Sequence, residues 1–255
     1  MAISIDAKAM VQEVTLDENT LKFKTPFAMC VSGASMSGKS EFIAKLIINR
    51  RLLFDVEFEQ IFYCAPETLV LRHNPIFEKI RESFPSAQLV NGLPDVSKLN
   101  LTLDNSFKLV VIDDLMESFL RSEAMVRLLS VECHHFNITI IYTLQNFFAQ
   151  SKFCKTLHRN SHYRCIFYNR LDLTEIRTLS VQICQQPRFL QECFEFLREK
   201  FPIEPPYIII DGHIHSPLKE LFVRSQIFPH EGTNEIKPIF FSLNNGHKGS
   251  HLFAF

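Results

Sequence analysis

Five apolar runs punctuate the first two-thirds of the chain, at residues 27–32, 59–64, 108–113, 138–143 and 163–168, and each is nearly continuous rather than alternating. A strand with one wet face alternates apolar and polar residues; a strand covered on both faces does not. The runs therefore predict strands of a parallel sheet buried between two layers of helices. Between them, apolar residues recur at helical spacing. Ile43, Leu46 and Ile47 predict a helix directly after the first run, and Pro75 is a favourable first-turn residue for one over 75–84. Phe119, Leu120, Val126 and Leu129 predict a helix over 118–132. Asp172 with Glu175 three residues later reads as an N-terminal cap for a helix with Ile176, Leu179 and Ile183 on one face. Pro187 can open another, with Leu190, Cys193, Phe194 and Leu197 inward.

Elsewhere the pattern is weaker. A short apolar–polar alternation at 21–23 precedes Pro26, and residues 91–107 read as a long irregular connection. Beyond Pro202, 207–211 is the last clear strand, 221–228 is a weaker one, and 229–255 has no period and reads as an arm. Alternation of strands and helices predicts an α/β fold with a mainly parallel central sheet and helices on both faces. The expected divisions are an N-terminal arm at 1–20, one domain at 21–211 and a C-terminal extension at 212–255.

Directly after the first run stands "SGASMSGKSEF", which meets the pattern G-x-x-x-x-G-K-[ST] in full with Gly33, Gly38, Lys39 and Ser40. Each position has a physical task. The loop backbone from Gly33 through Ala34, Ser35, Met36, Ser37 and Gly38 to Glu41 can wrap N–H groups around a phosphate, and the glycines allow dihedrals and approach that a Cβ would block. Lys39 sets a point charge between β- and γ-phosphates, and the Ser40 hydroxyl can ligate Mg²⁺. The helix that follows turns its positive end toward the anion. The expected ligands are ATP and Mg²⁺.

Two further strand ends carry polar residues. "LVVIDDLM" closes with Asp113, placed to hold Mg²⁺ as a Walker B aspartate, and Asp114, placed to polarise an attacking water or, alternatively, to cap the next helix. "ITIIYTLQNF" closes with Thr143, Gln145 and Asn146. If that strand lies between the phosphate-loop strand and the Asp113 strand, Gln145 points at the γ-phosphate. An amide there separates motor-type ATPases from most P-loop kinases and GTPases.

Composition narrows the remainder. The 255 residues are 46% hydrophobic, enough to bury a full core. The net charge of −1 supplies no bulk attraction for nucleic acid, so any such contact must be local. Lys152, Lys155, Arg159 and Arg164, with His158 and His162, form the densest basic stretch, and Arg50–Arg51 a second. The seven scattered cysteines are expected to be free thiols in a reducing compartment. No signal peptide is visible, and no apolar run approaches the ~18 residues of a membrane helix. The protein is therefore expected inside a cell rather than secreted. His134–His135 and "DGHIHS" match no zinc spacing.

Taken together, "GASMSGKS", "VVIDDL", "IIYTLQNFF" and "KTLHRNSHYRCIFYNRLDLTEIRTLSVQI" resemble the genome-packaging ATPases of the FtsK/HerA superfamily, above all the poxvirus type found in Maverick/Polinton elements and adintoviruses. The resemblance spans roughly residues 25–185. It implies a P-loop NTPase of the additional-strand catalytic type that forms a homo-oligomeric ring, a pentamer or hexamer, and drives double-stranded DNA into a preformed capsid through contact with capsid or portal-vertex proteins. Some relatives carry an arginine where this chain has Lys152 and Lys155. The trans-acting finger is therefore sought among Arg159, Lys155 and Arg164, with Arg159 preferred. Two other classes compete: a small-molecule kinase with residues 152–170 as a phosphate-clamping lid, and an NTP-binding structural or regulatory protein without turnover.

Overall fold

The computed structural model describes residues 18–71, 74–99, 105–218, 222–230 and 235–242. Nine strands form a single sheet: β1 (Ala28–Ser32), β2 (Gln60–Ala65), β3 (Gln88–Asn91), β4 (Lys108–Ile112), β5 (Ile138–Leu144), β6 (Tyr163–Phe167), β7 (Tyr207–Asp211), β8 (Val223–Ser225) and β9 (Ile239–Phe241). Their order across the sheet is β3-β2-β4-β5-β1-β6-β7-β8-β9. The pairings from β3 through β6 are parallel, and β7, β8 and β9 add on antiparallel. The fold is α/β, with a mainly parallel central sheet, helices on both faces and one strand, β5, inserted between β1 and β4.

The continuous apolar runs follow from burial on both faces. In β1, Ala28 and Cys30 join one core layer while Met29 and Val31 join the other. In β4, Val110 and Ile112 face the first layer, and Leu109 and Val111 the second. Every residue of β1, β4, β5 and β7 is buried. The first layer is closed by helices at Leu173–Cys184 and Phe189–Lys200, and the second by those at Lys39–Ile48 and Pro75–Ser83. Asn74 caps the Pro75 helix by accepting from the amides of Ile76 and Phe77.

Several expectations need correction. The helix expected over 118–132 is broken. Met116–Arg121 ends at Ser122, whose hydroxyl accepts the Met125 amide at 3.3 Å and caps a new helix, Glu123–Arg127. The chain then widens into a π-helical stretch at Leu128–Glu132. The stretch read as irregular from residue 91 holds the end of β3 and a short helix, Val96–Leu99. The tail read as without period supplies β9, and β8 and β9 carry the sheet past residue 211. The 1–20 arm, but for its last three residues, and 243–255 lie outside the described residues. All seven cysteines are free.

Candidate nucleotide site

At the carboxyl end of β1 the chain turns through Gly33–Gly38 and enters the Lys39–Ile48 helix. The Gly33 amide donates to the Leu144 carbonyl at 3.1 Å, which ties the loop to the end of β5. A Cβ on Gly33 would stand 2.7 Å from Phe167 Cβ and 2.8 Å from Ser37 Oγ, so only glycine fits. Gly38 precedes the helix at φ 99°, a conformation that glycine adopts without strain. Met36, at φ 65°, stands fully exposed at the loop tip. Lys39 reaches back across the loop, its ammonium donating to the carbonyls of Gly33 (2.7 Å) and Ala34 (2.8 Å). Burial lowers the Lys39 pKa, and the carboxylates of Asp113 and Asp114 oppose that shift. The Ser37 hydroxyl is buried without a hydrogen-bond partner, a state that a polar ligand would relieve. Ser35 is exposed and Ser40 half-buried. The Glu41 carboxylate is taken by Lys79, 2.9 Å from both oxygens, which leaves only its backbone for the loop.

The wall facing the loop is the end of β4. Asp113 is 4% exposed, and its Oδ2 accepts the Tyr63 hydroxyl at 2.5 Å. The Ser40 side chain acts on the same Tyr63 hydroxyl, so Ser40 and Asp113 lie beside one phenol. Burial, then the adjoining Asp113 charge, pushes the Tyr63 pKa well up, which keeps it a neutral donor. Sequence reading missed Tyr63 because it sits inside an apolar run. Asp114 is exposed at φ 55°, and its amide donates to Thr143 Oγ1 at 2.9 Å. The residue flanking the Met116 helix is Leu115, with no side-chain cap, so Asp114 does not cap it.

The tip of β5 completes the arrangement. Because β5 pairs with both β1 and β4, Thr143 and the Gln145 turn stand between the phosphate loop and the two aspartates. Gln145 is exposed, and its backbone N–H donates to Met116 Sδ (3.4 Å). Asn146 Oδ1 accepts the Phe148 amide at 2.7 Å and shapes the turn.

Glu175 was also missed. Asp172 does cap its helix, accepting the Glu175 amide at 3.0 Å, but the Glu175 side chain turns inward. Its Oε1 accepts the Phe147 amide at 2.6 Å and the Ser32 hydroxyl at 3.3 Å. Burial raises its pKa.

The basic stretch divides. Lys155 and Arg159 are exposed on the Cys154–Arg159 helix, while Lys152 pairs with Glu123 at 3.4 Å. Arg159 lies four residues before Tyr163, which pairs with Met29 at the start of β1, so it stands toward the sheet end opposite the loop. Arg164 is half-buried: it lies over the Phe147 ring and donates to the His158 carbonyl at 3.1 Å. His158 stacks on Phe147, and His162 Nδ1 accepts the Ala28 amide. Burial depresses both histidines to about 4, so neither adds positive charge at neutral pH. Arg50 is bound to Ser83 and Arg51 to Glu57, so the second basic patch is largely engaged. The rings of His134, His162 and His213 adjoin one another, and among the described residues no His/Cys/Asp/Glu group is arranged for a metal ion. No helix among the described residues is long and apolar enough to cross a membrane.

No family model matches the chain, and no curated protein matches it. Among solved structures, the genome packaging NTPase of Sulfolobus turreted icosahedral virus 2 in complex with ATPγS aligns over 73% of this chain and 92% of its own, at 13% identity and TM-score 0.42. The same NTPase with sulfate aligns at 14% identity, the same coverage and TM-score 0.38. A KaiC-like protein from Pyrococcus horikoshii OT3 aligns over 85% of each chain, at 14% identity and TM-score 0.41. Likenesses this distant carry no argument about activity.

Proposed function

We propose that the chain is an ATP-hydrolysing motor of the FtsK/HerA genome-packaging type, which moves double-stranded DNA into a preformed capsid. The observation that supports this reading most is the position of β5. Set between β1 and β4, it puts a polar turn between a phosphate loop and two carboxylates, where a water attacking a γ-phosphate would be held. A small-molecule kinase has no need of an amide there.

In this reading the backbone of residues 33–41 cradles the β- and γ-phosphates of ATP, and the Lys39 ammonium exchanges its two carbonyl partners for phosphate oxygens. Ser40 and Asp113, two hard oxygen donors beside one phenol, fit Mg²⁺, which would neutralise charge on the phosphates. Asp114 orients the water and accepts its proton, and Gln145 reports the state of the γ-phosphate. The ATPase domain is read as residues 21–211, and the extension from 212 adds β8 and β9 to its sheet. Lys152, Lys155 and Arg159 face DNA, and a ring of five or six copies multiplies that small patch. Capsid or portal-vertex proteins are the docking partners, and the work is done inside the host cell.

One subunit leaves the γ-phosphate open on one side, and a cation from a neighbour would complete it, contributing about 10³–10⁵ in rate. Arg159 is the first choice, then Lys155 and Arg164. Subunits with Arg159→Ala are mixed with subunits carrying Lys39→Ala. Each is inactive alone, and phosphate release returns in the mixture where an intact cradle meets an intact finger. No recovery at any ratio in a mixed oligomer removes Arg159 from that role.

A further inference from the structure

The mechanism above gives no task to Glu175, yet this carboxylate is 8% exposed and sits where three parts of the molecule meet. Ser32 immediately precedes Gly33, the first residue of the loop, and its hydroxyl donates to Glu175 Oε1. Phe147 comes two residues after Gln145, and its amide donates to the same oxygen at 2.6 Å. Charge-assisted bonds of this length are the stronger kind. The Phe147 ring carries the connection outward. It stacks on His158 with centroids 3.8 Å apart, and the Arg164 guanidinium lies over it, so it packs against the helix that bears Lys155 and Arg159.

A carboxylate is an expensive way to satisfy one amide and one hydroxyl. Burial raises its pKa, so the folded protein holds the ionised form at a cost. The helix needs no help from it, because Asp172 already caps that end. An apolar residue here would leave the Phe147 amide without its acceptor.

We infer that Glu175 is a positioning residue that fixes the Gln145–Phe148 turn against the root of the phosphate loop, so that the Gln145 amide meets the γ-phosphate in register. The inference rests on the ATPase reading above. Glu175 touches neither nucleotide nor water and acts only through the turn. A reacting group displaced by about 1 Å can lose on the order of 10² in rate. Removing the acceptor therefore lowers kcat by about 10- to 100-fold and leaves the KM for ATP within about threefold, because the loop itself stays built.

The test is a double-mutant cycle on full-length protein, with steady-state phosphate release as the readout. Glu175→Ala, Gln145→Ala and the double variant are compared with wild type, below the melting temperature of each. If Glu175 acts through the turn, Glu175→Ala costs kcat heavily in the wild-type background and little once Gln145 is gone. Glu175→Gln keeps an accepting oxygen and recovers most of the loss. Effects of the two substitutions that simply multiply, or a Glu175→Ala protein with wild-type kcat, overturn the inference. If Glu175→Ala does not fold, Ser32→Ala, which removes one arm of the same bridge, is put through the cycle with the same expectations. A wild-type protein that releases no phosphate from ATP instead contradicts the ATPase reading, a result distinct from either of these.

Discussion

Asp114→Asn separates chemistry from structure better than any other single substitution. The residue sits at φ 55°, where most side chains cost about 1–2 kcal/mol and only Gly, Asn and Asp are at ease. Alanine would therefore add strain unrelated to the carboxylate, whereas asparagine keeps the backbone. The amide bond to Thr143 Oγ1 is made by the main chain and survives. The side chain is exposed and caps nothing, so stability should change by at most about 0.5 kcal/mol, as for ordinary surface substitutions. For a domain of this size that is at most about 2 °C in Tm. Loss of a general base costs about 10²–10⁴ in rate, or roughly 2.7–5.4 kcal/mol of barrier. The two effects differ by a factor that calorimetry and phosphate release resolve easily. A fluorescent ATP analogue should still bind in the presence of Mg²⁺, because Asp113, Ser40 and Lys39 are untouched. Wild-type turnover with a Tm lowered by several degrees would refute the reasoning and make Asp114 a structural residue.

Tyr63→Phe removes the hydroxyl that satisfies buried Asp113, so it should cost about 1.5–3 kcal/mol and lower Tm by several degrees; an unchanged calorimetric Tm would contradict the bridge. Stability should also fall in mild acid. With His158 and His162 held near 4 in the folded state and near 6.5 when unfolded, the unfolded chain binds more protons inside that window, so the free energy of unfolding drops as pH goes from about 6.5 toward 4. Urea titrations across this range would show it, and His162→Asn, which can still accept the Ala28 amide, should flatten the slope.

The parts of the fold legible in the sequence are those buried on both sides. β1, β2, β4, β5, β6 and β7 announce themselves as nearly continuous apolar runs because each face meets a helical layer. β3 escapes because it is a half-exposed edge strand of four residues with polar ends. The break at Ser122 escapes because apolar spacing continues across it, although a serine before Glu123 was a signal of a new cap. At the site, the glycine–lysine loop and the paired aspartates are short local patterns and were readable. Tyr63 and Glu175 reach the site only by tertiary contacts, to Asp113 and Ser32, which lie 50 and 143 residues away along the chain. Arg164 could have been placed better. It follows buried Tyr163 and precedes buried Cys165 in one strand, so period two turns it toward Phe147 on the opposite face.

In the proposed reading hydrolysis is coupled to duplex DNA, and the test is steady-state phosphate release from Mg·ATP by the full chain, with and without double-stranded DNA. DNA should raise kcat, Lys39→Ala should abolish the signal, and the stimulation should weaken as salt rises, because the proposed contact is to phosphates. Turnover indifferent to DNA at every salt concentration, with the γ-phosphate passed to a small acceptor rather than to water, would contradict it.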